Sequence, residues 1–297
     1  MSRTVSPSAD RPYGLARVCR VWEVARSTVY AARGGPRPAG ATGPRRRGPR
    51  GPYTDEELLD RIRQVLADSP WLGEGHRKVW ARLRHGGTRT SKRRVLRLMR
   101  EAGLLAPGRA GRPRGPQVHD RSIIPDEPDV MWGTDATSTL TGEGNATIFT
   151  VLDHCTAECL GLHAARHGTR FEALEPLRQG VRERWGKFDE GVAVGLSLRH
   201  DHGSQFVSDV YQDELRFLGI ASSPAFVATP EGNGCCERFI RTLKEQLLWV
   251  WRFETVAELN EALRAFKERY NREWLIERHG FLAPAAYREQ LVGEAAA

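Results

Sequence analysis

Three carboxylates sit where an idle acid would be costly. Asp135 lies in the run Trp132-Gly133-Thr134-Asp135-Ala136-Thr137, mid-way along a predicted strand, where an unpaired carboxylate loses its hydration. Asp201 follows an apolar stretch (Leu196, Leu198) almost directly, within Arg199-His200-Asp201-His202-Gly203-Ser204-Gln205. It therefore stands at the carboxyl end of a strand, where α/β sheets place ligands. Glu237 opens a helix after the lead-in Thr229-Pro230-Glu231-Gly232-Asn233-Gly234, and 35 residues separate it from Asp201. At about 100° per residue, Glu237, Arg241, Lys244 and Leu248 share one stripe, at the rim of the apolar stripe Ile240, Leu243, Leu247 and Val250. Clustered hard oxygens suit Mg2+, and cations beside them suit a phosphodiester.

Each acid taken singly also has a structural use. Asp135 can pair with an arginine, Asp201 can cap the turn before Gly203, and Glu237 can complement a helix N-terminus. Asp153, Glu231 and Glu245 compete for the same roles. Asp153 precedes a turn and reads as its cap, Glu231 belongs to the lead-in, and Glu245 lies about 80° around the helix from Glu237.

The elements that must position these residues follow from periodicity. Val130–Leu140, Ala146–His154 and Cys159–Ala164 read as three strands joined by tight turns. A helix follows, capped by Thr169 and Glu172 and burying Leu174, Leu177, Val181 and Trp185. A buried strand over Val192–Arg199, a helix near Asp209–Leu218 stopped by Gly219, and a short strand around Ile220–Ala225 come next. Two long helices close the chain, Gly234–Val250 and Val256–Arg272, the second capped by Thr255 and Glu258. Strands first, then alternating helix and strand, predict an α/β order with one mixed sheet.

Charge is divided unevenly along the 297 residues. Residues 1–117 hold 26 Lys/Arg against 9 Asp/Glu, a net +17, whereas residues 118–297 carry a net −9. A basic arm beside an acidic body fits a nucleic-acid enzyme that grips phosphates with one part and binds metal with the other. Within the arm, Thr54 and Glu57 cap a helix burying Leu58, Ile62 and Val65, and a second helix runs near His76–Arg84. A third starts at Ser91, buries Val95, Leu98 and Met99, and presents Lys92, Arg93, Arg94, Arg97 and Arg100 on its other face for DNA. Residues 34–52 hold six Gly, five Pro and five Arg with no acid, Arg45, Arg46 and Arg47 among them, and read as a DNA-gripping tether. Ala106 to Pro116 repeats the character. Before the first, residues 13–33 look like the end of a helix-turn-helix, with Leu15, Val18 and Cys19 inward and Ser27 to Tyr30 opening the second helix. About twenty residues are too few to fold alone.

Other classes are excluded. No stretch reaches the ~18 apolar residues of a membrane helix, and Met1 to Asp10 lacks a signal-peptide core. Five cysteines make no disulfide framework, so a reducing cytoplasm is expected. Cys155, Cys159, Cys235 and Cys236 lack the paired spacing of a zinc site and read as small core residues. Phosphate-binding glycine loops and nucleophile elbows are missing.

Asp135, Asp201 and Glu237 resemble the D,D(35)E signature of the integrase/transposase superfamily. His200 to Phe206 and Glu237 to Glu245 resemble the insertion-sequence family usually called "IS three", in particular its second-frame product, and Ser91 to Leu104 is similar to that family's basic helix. The match extends from about Tyr13 to Arg288. Many relatives carry Asp-Asn-Ala before the glutamate, where this chain has Gly232-Asn233-Gly234. The resemblance implies a ribonuclease-H-like α/β core, a mixed five-stranded sheet flanked by helices, preceded by an all-α helix-turn-helix region. Its segments would be a partial helix-turn-helix at 1–33, a linker at 34–52, a helical DNA-binding domain at 53–105, a linker at 106–125 and the core at 126–290. It also implies a transposase in which the triad holds two Mg2+ (or Mn2+) ions roughly 4 Å apart, water cuts the element end, and the freed 3′-hydroxyl attacks target DNA. Double-stranded DNA, further copies of the chain, and a first-frame partner or frameshift fusion are the implied partners. A non-catalytic DNA-binding regulator and a structure-specific nuclease are the alternative readings of the same core.

Overall fold

The computed structural model describes residues 4–33, 52–107, 124–225 and 233–295, in two compact units, Met1–Arg50 and Gly51–Ala297. Arg45, Arg46 and Arg47 lie outside the described residues. In the first unit, helix α1 (Leu15–Val21) and helix α2 (Arg26–Arg33) form the expected pair, with Glu23 at φ 51° in the turn. Among its described residues Ser6 and Cys19 are buried, and Val21, Trp22 and Tyr30 are exposed.

The second unit begins with three helices. Helix α3 (Asp55–Asp68) has the reciprocal cap expected of Thr54 and Glu57, helix α4 (His76–His85) follows, and Ser91 caps helix α5 (Lys92–Glu101). Leu58, Ile62, Val79, Leu83, Val95, Leu98 and Met99 make their common core.

Five strands then form one mixed sheet. Strands β1 (Met131–Thr141), β2 (Gly144–Asp153) and β3 (Cys159–Ala165) are an antiparallel meander, and β4 (Ser197–His200) and β5 (Ala221–Pro224) extend it in parallel, giving the order β3-β2-β1-β4-β5. Helices α6 (Arg170–Trp185) and α7 (Asp209–Leu218) pack with Trp132, Phe149 and Val151 in one core. Helices α8 (Gly234–Leu243) and α9 (Val256–Glu273) pack with Ile148, Leu152 and Leu162 in another. Successive residues of β2 thus feed opposite cores, as a sheet covered on both faces requires.

Three expectations are corrected. The strand expected over Val192–Arg199 begins only at Ser197, because residues before it turn through Gly191 (φ 68°) and Gly195 (φ 98°). The helix expected over Gly234–Val250 is α-helical to Leu243 and then opens into a π-helical turn, Lys244–Leu248. A further helix, α10 (Pro284–Ala295), follows α9 and had no counterpart among the expected elements.

The three-helix region is built into the same body as the sheet. Trp71, in the α3–α4 loop, is 4% exposed and belongs to the α8–α9 core, edge-on to Phe266 (ring centroids 5.9 Å) and Trp274 (4.9 Å). Gln246, in the π-helical turn, accepts from Leu72 N (2.8 Å) and donates to Leu72 O (3.0 Å). Glu74, 3% exposed, is held by Arg82, which also reaches Glu273 O. Replacing Trp71 with Ala opens a cavity at this junction and is expected to cost about 3–5 kcal/mol of stability. Urea unfolding of the full chain measures it, and a loss below about 1 kcal/mol would show that the junction is not packed as described.

Candidate active site

The parallel pairing of β1 with β4 aligns the first two acids. Gly133 is the register partner of Arg199, and Asp135 and Asp201 each follow two residues further along their chains. Helix α8 crosses β1 at the same place. Asn233 Nδ2 donates to Thr134 O at 2.9 Å, and Cys236, the residue before Glu237, is fully buried in the core beside β1. A strand pair and one helix start therefore direct the three acids to one end of the sheet.

The electrostatics register that convergence. Burial drives the Asp135 acid up to about 6 from the usual 3.8, against a 2.8 Å hydrogen bond from Ala136 N–H. The neighbouring charges of Asp201 and Glu237 push it further up, and Lys244 draws it down. Burial also raises Glu237. Asp201 is exposed, and its Oδ1 accepts from Gly203 N–H at 2.9 Å, so the turn-capping role open to it in the sequence is filled as well.

Among the described residues, no three His, Cys, Asp or Glu side chains stand close enough together to grip an ion as they are. Like charges in a partly desolvated site hold one another off. The donor set is nonetheless the one Mg2+ or Mn2+ favours, all hard carboxylate oxygen, and a cation would relieve the mutual repulsion that Asp135 records. The residues present fit a divalent metal.

Of the cations expected to face DNA, Lys244 is half-buried and acts on Asp135, whereas Arg241 is exposed and bonded to Glu245 Oε1 at 2.9 Å. On α5, Arg94 and Arg97 both turn back to Asp55 at 2.7 Å, and Arg97 also binds Glu101. Lys92 sits over the Trp80 ring (4.6 Å) and 4.0 Å from Glu277. Arg93 and Arg100 are exposed. Sequence reasoning missed Asp55 as the organiser of this helix, because it reads there as a first-turn acid of α3.

Of the competing residues, Glu231 lies outside the described residues and Glu245 bonds Arg241. Asp153 caps its turn, accepting from Thr156 N and Oγ1 and from Asp129 N. His202 bonds Ala225 O, and Cys155, Cys159 and Cys236 are buried, their thiols pushed up by burial.

Residues 54–112 match the HTH-like domain model, and residues 125–230 and 218–275 match two integrase core domain models. The 48.2 kDa protein of insertion element IS2A from Escherichia coli is 26% identical over 295 residues, covering 96% of this chain and 66% of its own length. Transposase InsD of the IS2 elements of Escherichia coli is 26% identical over 252 residues, 82% of each. The catalytic core domain of BIV integrase superposes with a TM-score of 0.42 at 19% identity, over 57% of this chain and 99% of that one. The HTLV-2 integrase catalytic core in complex with magnesium gives 0.38 at 18%, over 50% and 91%.

The folded chain keeps the Asp135 proton to about pH 6, while the unfolded chain releases it near 3.8. Its burial costs stability fully above about pH 6 and not at all well below 4. Asp135→Asn is therefore expected to stabilise the chain by roughly 2–3 kcal/mol at pH 8 in EDTA, a gain that fades between pH 6 and 4. Urea unfolding across that range measures it; a gain that grows toward low pH would contradict the assignment.

Proposed function

We infer that this chain, which belongs to the DDE superfamily of transposases and integrases in its "IS three" insertion-sequence branch, cuts and joins DNA ends at Asp135, Asp201 and Glu237. What supports the reading is that three acids from separate elements meet in one electrostatic field, felt at Asp135. The acids would hold Mg2+ or Mn2+, two ions by the family resemblance, and such metal supplies a water-derived nucleophile at neutral pH and neutralises the leaving oxygen.

The chain's own side chains do the rest. Lys244, already attracted to Asp135, is placed to hold the scissile phosphate beside the acids, and Arg241 lies one turn earlier on the same helix. Asp135, whose acid rises to about 6, remains mostly ionised at neutral pH. The 3′-hydroxyl freed by cutting is the nucleophile for joining, so no serine or tyrosine intermediate is needed.

Double-stranded DNA would be gripped by the helical region. Arg93 and Arg100 are its open cations, while Arg94 and Arg97 serve the fold through Asp55. Helices α1 and α2 bury little beyond Cys19, which suits completion by a first-frame partner or frameshift fusion, with several copies of the chain acting together on DNA in the cytoplasm. Among the described residues no helix is long and apolar enough to cross a membrane.

Two experiments test this. Purified chain, linear DNA carrying the element ends, and Mg2+ or Mn2+ are expected to give nicking and end-joined products. Asp201→Asn should lower both on the order of 10³-fold or more, as for one member of a group acting as a unit. Cleavage without joining would favour a nuclease, and DNA binding without metal-dependent cleavage would favour a regulator. Separately, Arg93→Gln is expected to weaken duplex binding and flatten its salt dependence by about one unit of slope. Arg94→Gln should mainly lower the melting temperature; the reverse pattern would overturn the division of roles.

A further inference from the structure

The crossing of α8 over β1 is tight enough to define a distance. An ideal Cβ on Gly133 would stand 2.4 Å from His154 Nε2, 2.8 Å from Cys236 Sγ and 2.9 Å from Asn233 Oδ1, so any side chain there would have to displace Asn233 and Cys236 of α8 as well as His154. Asn233 stands at the N-cap of α8, a position where asparagine ordinarily bonds the first N–H groups of its own helix. Here it makes no such bond. Its amide donates instead to Thr134 O, on the neighbouring strand, at 2.9 Å. The side chain is 7% exposed, and its Oδ1 has no hydrogen-bond partner, an arrangement that costs stability.

Both ends of that hydrogen bond carry an acid. Asp135 follows Thr134 directly, and Glu237 lies four residues after Asn233, about one helical turn. We propose that Asn233, seated over Gly133, is a positioning residue that sets the reach between Asp135 and Glu237 and thereby the affinity of the acids for a divalent cation. It acts through the backbone of β1 and touches neither metal nor DNA. Helix-start asparagine is used here as a spacer between two metal-binding elements, and the forgone cap is the local cost of that use. The inference rests on the reading of Asp135, Asp201 and Glu237 as metal ligands.

Mn2+ titrated into the full chain without DNA, with free Mn2+ followed by its paramagnetic resonance signal, separates the possibilities. Asn233→Ala is expected to weaken Mn2+ binding about ten- to hundredfold, the range for residues that orient ligands. Asn233→Leu keeps the side-chain volume, cannot donate to Thr134 O, and is expected to do the same. Melting temperature in EDTA, measured alongside, should fall by only a few degrees in the Leu variant. Asp201→Asn serves as the loss-of-ligand control. Wild-type Mn2+ affinity in a folded Asn233→Leu chain, with affinity lost in Asp201→Asn, overturns the positioning role and leaves the three-acid reading in place. Unchanged affinity in Asp201→Asn overturns both.

Discussion

A carboxylate carried inside a covered strand is the constraint on which the rest of the structure turns. Asp135 has β2 on one side and the end of β4 on the other, and the residues before it, Trp132, Gly133 and Thr134, are fully buried. Taking an acid out of water is unfavourable, and burial is the largest cause of the rise of Asp135 to about 6. A fold selected for stability alone would place Thr or Val there. Retaining the acid, and bringing two more to the same end of the sheet, is a local conflict of the kind that marks function.

The helical region belongs to that same body. Trp71 lies in the core beneath α9, Arg82 neutralises the buried Glu74, and Gln246 pairs with both backbone groups of Leu72. Gln246 and Lys244 stand in one π-helical turn, so the segment that approaches Asp135 is also the segment that holds the helices. Single π turns inside α-helices recur at functional sites. This packing also changes the meaning of the basic charge. Lys92, Arg94 and Arg97 are balanced by Glu277, Asp55 and Glu101, and what remains for phosphate is a narrower set than the charge of the region suggests.

Local signals carried much of this in the sequence. Thr54, Ser91, Thr169 and Thr255 each cap the helix expected of them, and Gly219 ends α7 in the left-handed conformation. The β1–β3 meander was legible because its turns are short and its strands apolar. What stayed hidden depends on distant contacts. An apolar run from Val192 reads as strand, but Ala193 N–H bonds Leu218 O, which keeps that stretch out of the sheet until Ser197. The π turn has no signal in residue type, since Lys244 to Leu248 are good α-helix formers. Likewise the order of Asp135, Asp201 and Glu237 was legible, whereas the crowding at Gly133 comes from side chains on other elements, His154 after β2 and Asn233 and Cys236 of α8.

On the proposed three-acid reading, the sheet explains why the third acid comes from a helix. Asp135 has two strand neighbours. On the parallel side, Asp201 follows the end of β4, where the chain leaves the sheet, its carboxylate is exposed to water and its charge acts on Asp135. On the antiparallel side its partner is Thr150, 1% exposed and well inside β2. An acid at Thr150 would be a second fully desolvated charge against Asp135, a cost that pairing with a metal would have to offset during folding. Moving the third acid to the first turn of α8 avoids this. Glu237 remains exposed, its side chain is long, and the helix start comes over β1 at Gly133, where a Cβ would meet Asn233 Oδ1 and Cys236 Sγ as well as His154. The glycine before the buried acid and the glutamate on the crossing helix are thus two parts of one solution to the desolvation of Asp135.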